Sequence, residues 1–123
     1  DIYYTVYEVE YTDEFEEWWR TLDVYTQDSI DIVVDLLIER GPNLSFPYSS
    51  GIQSSRHQHM RELRVQCKGE PYRILYAFDP RRVAVLLIGG NKIGNNRWYE
   101  ENVAKADKLY DELLEELKNE GYI

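Results

Sequence analysis

Residues 60–88 read MRELRVQCKGEPYRILYAFDPRRVAVLLI, and this run decides the fold. In Met60–Gln66, Arg61, Leu63 and Val65 alternate with Glu62, Arg64 and Gln66. In Tyr72–Phe78, Tyr72, Ile74, Tyr76 and Phe78 alternate with Arg73, Leu75 and Ala77. A period of two marks a strand, because successive side chains point to opposite faces. Val83–Ile88 is apolar throughout, as expected of a central strand. Lys68-Gly69-Glu70-Pro71 and Asp79-Pro80-Arg81-Arg82 are short and rich in turn formers, so the strands run antiparallel as a meander.

Upstream, the period changes to that of a helix. Thr12 is an N-cap candidate, with Asp13 and Glu14 in the first turn, where carboxylates suit the helix dipole. Phe15, Trp18, Trp19 and Leu22 then follow at helical spacing and form an aromatic stripe, read as core. Thr26 is a second N-cap candidate, followed by Ile30, Val33, Val34, Leu37 and Ile38, and Gly41-Pro42 ends that helix. Ile32 and Leu36 add an apolar edge, so the second helix is expected to be buried on two sides. Residues 41–55 read as a loop, and Tyr3–Tyr11 (YYTVYEVEY) as a first strand. From about Trp98 a long helix carries Tyr99, Val103, Ala106, Tyr110, Leu113, Leu114 and Leu117 on one stripe. The order is β-αα-βββ-α. This is an α+β fold: a small, mainly antiparallel sheet packed by a helical hairpin and a long C-terminal helix, with the helices on one face. A single domain over 1–123 is expected. The expected core includes Phe15, Trp18, Ile30, Val33, Leu37, Leu63, Val65, Ile74, Tyr76, Leu87 and Leu113.

The 123 residues carry a net charge of −9, which taken whole argues against a polyanionic partner. The distribution is uneven. Residues 1–55 carry −10, residues 56–97 carry +6 with both histidines, and residues 98–123 carry −5. One block is therefore basic. The longest apolar run, Val83–Ile88, is far short of a membrane span. No basic region followed by an apolar one opens the chain. Cys67 is the only cysteine, which excludes an internal disulfide and points to a reducing compartment. The expected location is the cytoplasm.

Phosphate-loop, dinucleotide and Cys-x-x-Cys signatures are all missing. Gly90-Asn91-Lys92-Ile93-Gly94 reads as a strand-end turn that also holds a lysine. His57-x-His59 lacks the further ligands of a structural metal site, so neither metal nor cofactor is expected. Arg64 and Arg73 oppose the apolar faces of adjacent strands. If the helices cover the apolar face, both arginines project from the free one, bordered by Lys92, Arg97 and Tyr99. Guanidinium groups so placed suit bidentate phosphate binding. The same arginines could instead pair with Glu62 or Glu70.

The chain resembles the RelE/ParE superfamily of type II toxins, and most closely its phage-derived HigB-like branch. The resemblance is carried by Met60-Arg61-Glu62-Leu63-Arg64 and Tyr72-Arg73-Ile74-Leu75-Tyr76-Ala77-Phe78. It continues through Leu86-Leu87-Ile88-Gly89-Gly90-Asn91-Lys92, then Arg97-Trp98-Tyr99-Glu100, with Ala106-Asp107 and Leu109-Tyr110. It implies the fold read above and a metal-independent endoribonuclease, an mRNA interferase acting on the ribosome, neutralised by a helix-turn-helix antitoxin. By resemblance, Arg73, Lys92 and Tyr99 are the catalytic candidates. Arg64, Arg97, Arg61 and His59 are the candidate RNA or phosphate contacts. Glu62 stands where RelE-like sequences carry a lysine. The alternative is a ParE-like gyrase-binding toxin or an inactive phage-derived protein-binding domain.

Overall fold

The computed structural model describes residues 6–123. Its elements are β1 (Val9–Tyr11), α1 (Asp13–Arg20), α2 (Val24–Arg40), a short 3-10 turn (Gly41–Asn43), β2 (Ser49–Gly51), β3 (Arg61–Cys67), β4 (Glu70–Phe78), β5 (Ala84–Asn91) and α3 (Trp98–Asn119). The sheet order is β1-β5-β4-β3-β2. Among the described residues only β1 runs parallel to its neighbour, β5; the other pairs are antiparallel, with the meander formed as expected. The expected first strand is realised as Val9–Tyr11, and its residues 3–5 lie outside the described ones.

Caps fix the hairpin. Thr12 Oγ1 accepts from Phe15 N at 3.1 Å and donates to Leu87 O at 2.7 Å, which starts α1 and ties it to β5. The second cap differs from expectation. Asp23, not Thr26, is the N-cap of α2, and its carboxylate accepts from Thr26 N at 2.8 Å. Thr26 is buried one turn into the helix. Nor is α2 buried on two sides, since Ile32 is exposed.

The largest correction concerns the faces. Ile74 and Tyr76 do face the hairpin, in a core with Phe15, Ile30, Val33, Leu37, Leu63 and Val65. The opposite face, however, is not free. There α3 packs Trp98, Val103, Ala106 and Tyr110 over Leu75, Ala77, Val85 and Leu87. The sheet is thus covered on both sides, and Trp18 and Leu113 are half-buried rather than buried. Gly89 and Gly90 show the double cover directly. A Cβ on Gly89 would enter the Trp18 ring from the hairpin side, and one on Gly90 would lie 2.6 Å from Trp98 Nε1 on the α3 side. The loop expectation for 41–55 is also revised. Ser49, Ser50 and Gly51 pair with Leu63, Glu62 and Arg61 as the edge strand β2.

Candidate active site

Even-numbered residues of β3 and odd-numbered residues of β4 share the α3 face, where Arg64 pairs in register with Arg73. Glu62 lies on the same face, one alternation along β3. Its carboxylate gathers four side chains from four elements. Tyr99, in the first turn of α3, donates its hydroxyl to Glu62 Oε1 at 2.6 Å. Ser50, opposite it on β2, donates to Oε2 at 2.8 Å, and Arg64 Nη1 reaches the same oxygen at 3.4 Å. Arg73 Nε lies 3.3 Å from Oε1. That approach is ionic but misaligned for a hydrogen bond, and Arg73 Nε is the one buried side-chain polar atom without a hydrogen-bond partner among the described residues.

Arg73 is therefore not on an open face. It is 6 % exposed and Glu62 5 %, because Tyr99 and the start of α3 lie over them. Arg73 Nη1 is further tied to Tyr72 O at 2.9 Å. Burial, followed by the bond to Glu62, pushes the Tyr99 hydroxyl above its ordinary value, while Arg73 opposes this. Tyr99 therefore stays protonated at neutral pH, and a free phenolate is unavailable. The Lys92 ammonium sits 5.6 Å from the centroid of the Tyr99 ring, in a cation–π geometry.

The remaining candidates separate. Arg97 precedes α3 and is exposed, but it pairs with Glu100 at 3.1 Å, and that bond raises its pKa further. Arg61 has the parity of Leu63 and so lies on the hairpin face, donating to Ser49 Oγ at 3.0 Å. His59 is exposed and lines a separate hollow with Arg61, Met60 and Phe78. Neither touches the Glu62 cluster. His57 Nε2 meets Asp111 Oδ1 at 2.8 Å and, with Arg56, fastens its loop to α3. The structure thus unites Arg64, Arg73, Lys92 and Tyr99 around Glu62, the alternative partner foreseen for the two arginines, and adds Ser50, which the sequence did not suggest. Parity alone places Glu62 with Arg64.

The family described as "Phage derived protein Gp49-like (DUF891)" matches residues 17–111. A Mycobacterium tuberculosis (strain ATCC 25618 / H37Rv) protein bearing the toxin name HigB2 is 38 % identical over 104 residues, 83 % of this chain and 52 % of that protein. The chain thus spans about half the length of that relative. A second protein of the same strain, bearing the toxin name HigB3, is 41 % identical over 102 residues, 82 % of this chain and 88 % of that protein. Among solved structures, a mutant Escherichia coli toxin RelE in the free state superposes with a TM-score of 0.59 at 12 % identity, covering 85 % of this chain and 97 % of that one. The archaeal RelE–RelB complex from Pyrococcus horikoshii OT3 gives 0.54 at 14 % identity, covering 73 % and 99 %. The two structures carry the fold, which is RelE-like, and the sequence matches carry the family: the chain belongs to the Gp49-like family of phage-derived proteins.

Proposed function

We propose that the chain is the toxin of a type II toxin–antitoxin pair and an mRNA endoribonuclease that works without a metal in the cytoplasm, on ribosome-bound message. The observation that carries this reading is the 2.6 Å hydrogen bond from the Tyr99 hydroxyl to buried Glu62. Cleavage by an internal ribose needs a group to take the 2′ proton, cations for the developing charge and a donor for the leaving 5′ oxygen. Tyr99 cannot act alone, because its hydroxyl holds its proton. As a relay it can: the phenol oxygen accepts the 2′ proton while its own proton passes to Glu62 Oε1. The freed 2′ oxygen attacks the adjacent phosphorus, the bond to the 5′ oxygen breaks, and a 2′,3′-cyclic phosphate remains.

Arg64 is the half-buried guanidinium that can grip a phosphate oxygen. Lys92, beside the Tyr99 ring, is the proposed donor to the departing 5′ oxygen. Arg73 is a positioning residue, because its guanidinium is buried against the same Glu62 oxygen that accepts from Tyr99. A helix-turn-helix antitoxin is the proposed partner, with carboxylates directed at Arg64 and Lys92.

Induction of the chain followed by mapping of transcript 5′ ends tests the reading. Growth arrest with new ends inside translated regions supports it. Growth arrest with DNA damage and intact transcripts makes the chain a gyrase-binding toxin instead.

A further inference from the structure

The proposed reaction leaves Phe46 unused. Its ring is 70 % exposed, although the loop that carries it is fastened on both sides. Leu44 is buried in the hairpin-side core. Ser45 O accepts from Tyr48 N at 3.0 Å and from Ser49 N at 3.1 Å, and Tyr48 O accepts from Arg64 N at 2.8 Å. A large apolar ring is thus held in water by an anchored turn. Its face is also occupied in a particular way. The Arg64 guanidinium lies 5.1 Å from the ring centroid, and its Nη1 reaches Glu62. Between Phe46, Pro47, Arg64, Val65, Gln66 and Arg73 lies a hollow of about 200 Å³. An aromatic face beside guanidinium groups is the chemistry that stacks a nucleobase while cations hold the neighbouring backbone.

We infer that Phe46 is a stacking platform for a nucleobase next to the scissile phosphate, with Arg64 bridging that base and the phosphate. The inference rests on the proposed RNA cleavage and adds a substrate-binding role for a residue outside the Glu62 cluster. Every base has a π face, so the platform tolerates sequence and favours purines only modestly.

The test is cleavage of a defined mRNA on programmed ribosomes, followed as protein concentration is varied. Phe46→Ala should raise the concentration needed for half-maximal rate by roughly 5- to 150-fold, the range expected for losing one stacked base. Phe46→Leu keeps apolar bulk without a π face and should lose as much, whereas Phe46→Tyr should match the parent. An abasic nucleotide beside the cut should weaken the parent to the same extent and leave Phe46→Ala unchanged. Parental concentration dependence in Phe46→Ala or Phe46→Leu overturns the stacking platform and leaves the nuclease reading intact. A parent chain that cleaves no message overturns both.

Discussion

Tyr99 begins α3 and Glu62 lies on β3, yet the hydroxyl of one donates to the carboxylate of the other at 2.6 Å. The contact exists because α3 starts over the face that holds Glu62, Arg64 and Arg73. It pairs a phenol kept protonated by burial with a carboxylate that can take its proton. If the two act as one relay, Glu62→Gln and Tyr99→Phe should each lower cleavage by about 10²–10⁴-fold. The double variant should be little worse than either, since residues acting as a unit are not additive. Single-turnover rates at matched melting temperature measure this.

Arg73 carries a structural load that an open-face arginine would not. Removing it takes away the buried ionic partner of Glu62 and leaves the carboxylate only half-buried Arg64 and the Ser50 and Tyr99 hydroxyls, so the loss should approach the lower end of the roughly 3–5 kcal/mol that follows when one member of a buried pair is removed. Arg73→Ala should therefore melt well below the parent, contrary to what an uncovered face would predict. Glu62→Gln combined with Arg73→Ala should recover part of the loss. Chemical denaturation of the single and double variants checks both statements.

The two glycines of β5 answer to different helices. Gly89→Ala should clash with Trp18 and Gly90→Ala with Trp98, each costing about 1–3 kcal/mol by overpacking. Trp18→Leu should relieve the first substitution and not the second, and Trp98→Leu the reverse. Melting temperatures of the paired variants decide this.

Alkali should loosen the fold. Burial raises the pKa values of the Tyr72, Tyr99 and Tyr110 hydroxyls, with the bond to Glu62 adding to the effect at Tyr99. The folded state then holds protons that the unfolded chain releases near pH 10. The stability they supply is complete below that pH and is lost as pH rises through the higher folded values. Ultraviolet titration should show these hydroxyls ionising late in the native chain and normally in denaturant.

Lys92 and Arg97 should part company in salt. Arg97 is already paired with Glu100, so Arg97→Ala should hardly change the salt dependence of RNA binding. Lys92→Ala should reduce the log–log slope by about 1, the counterion release of one phosphate contact. Binding isotherms across a range of ionic strength distinguish the two.

Much of this architecture is legible in the residues themselves. The alternation of Leu63, Val65, Ile74 and Tyr76 identifies the hairpin face, and the helical stripes of α1, α2 and α3 are plain. The second covered face was also written there. Leu75 and Ala77 share the parity of Arg73, and Val83–Ile88 has no polar side, so a sheet apolar on one face alone does not fit. β2 was not legible, because Ser49-Ser50-Gly51 has neither alternation nor β propensity and exists through pairing with β3. Parity also separates Arg61 from Arg64, whereas a count of basic residues does not. The pairing of Arg64 and Arg73 with Glu62 is legible as the alternative to a free face; the Tyr99 hydroxyl on the same carboxylate is not, because α3 brings it there from 37 residues along the chain.

The most direct test is the chemistry at the ends of the cleaved message, with parent and Glu62→Gln compared at equal protein level and matched melting temperature. The parent should leave 2′,3′-cyclic phosphate and 5′-hydroxyl ends, with or without a metal chelator, and Glu62→Gln should leave the message essentially intact. Parental cleavage by Glu62→Gln, or 5′-phosphate ends that vanish with chelator, would contradict the proposed reaction.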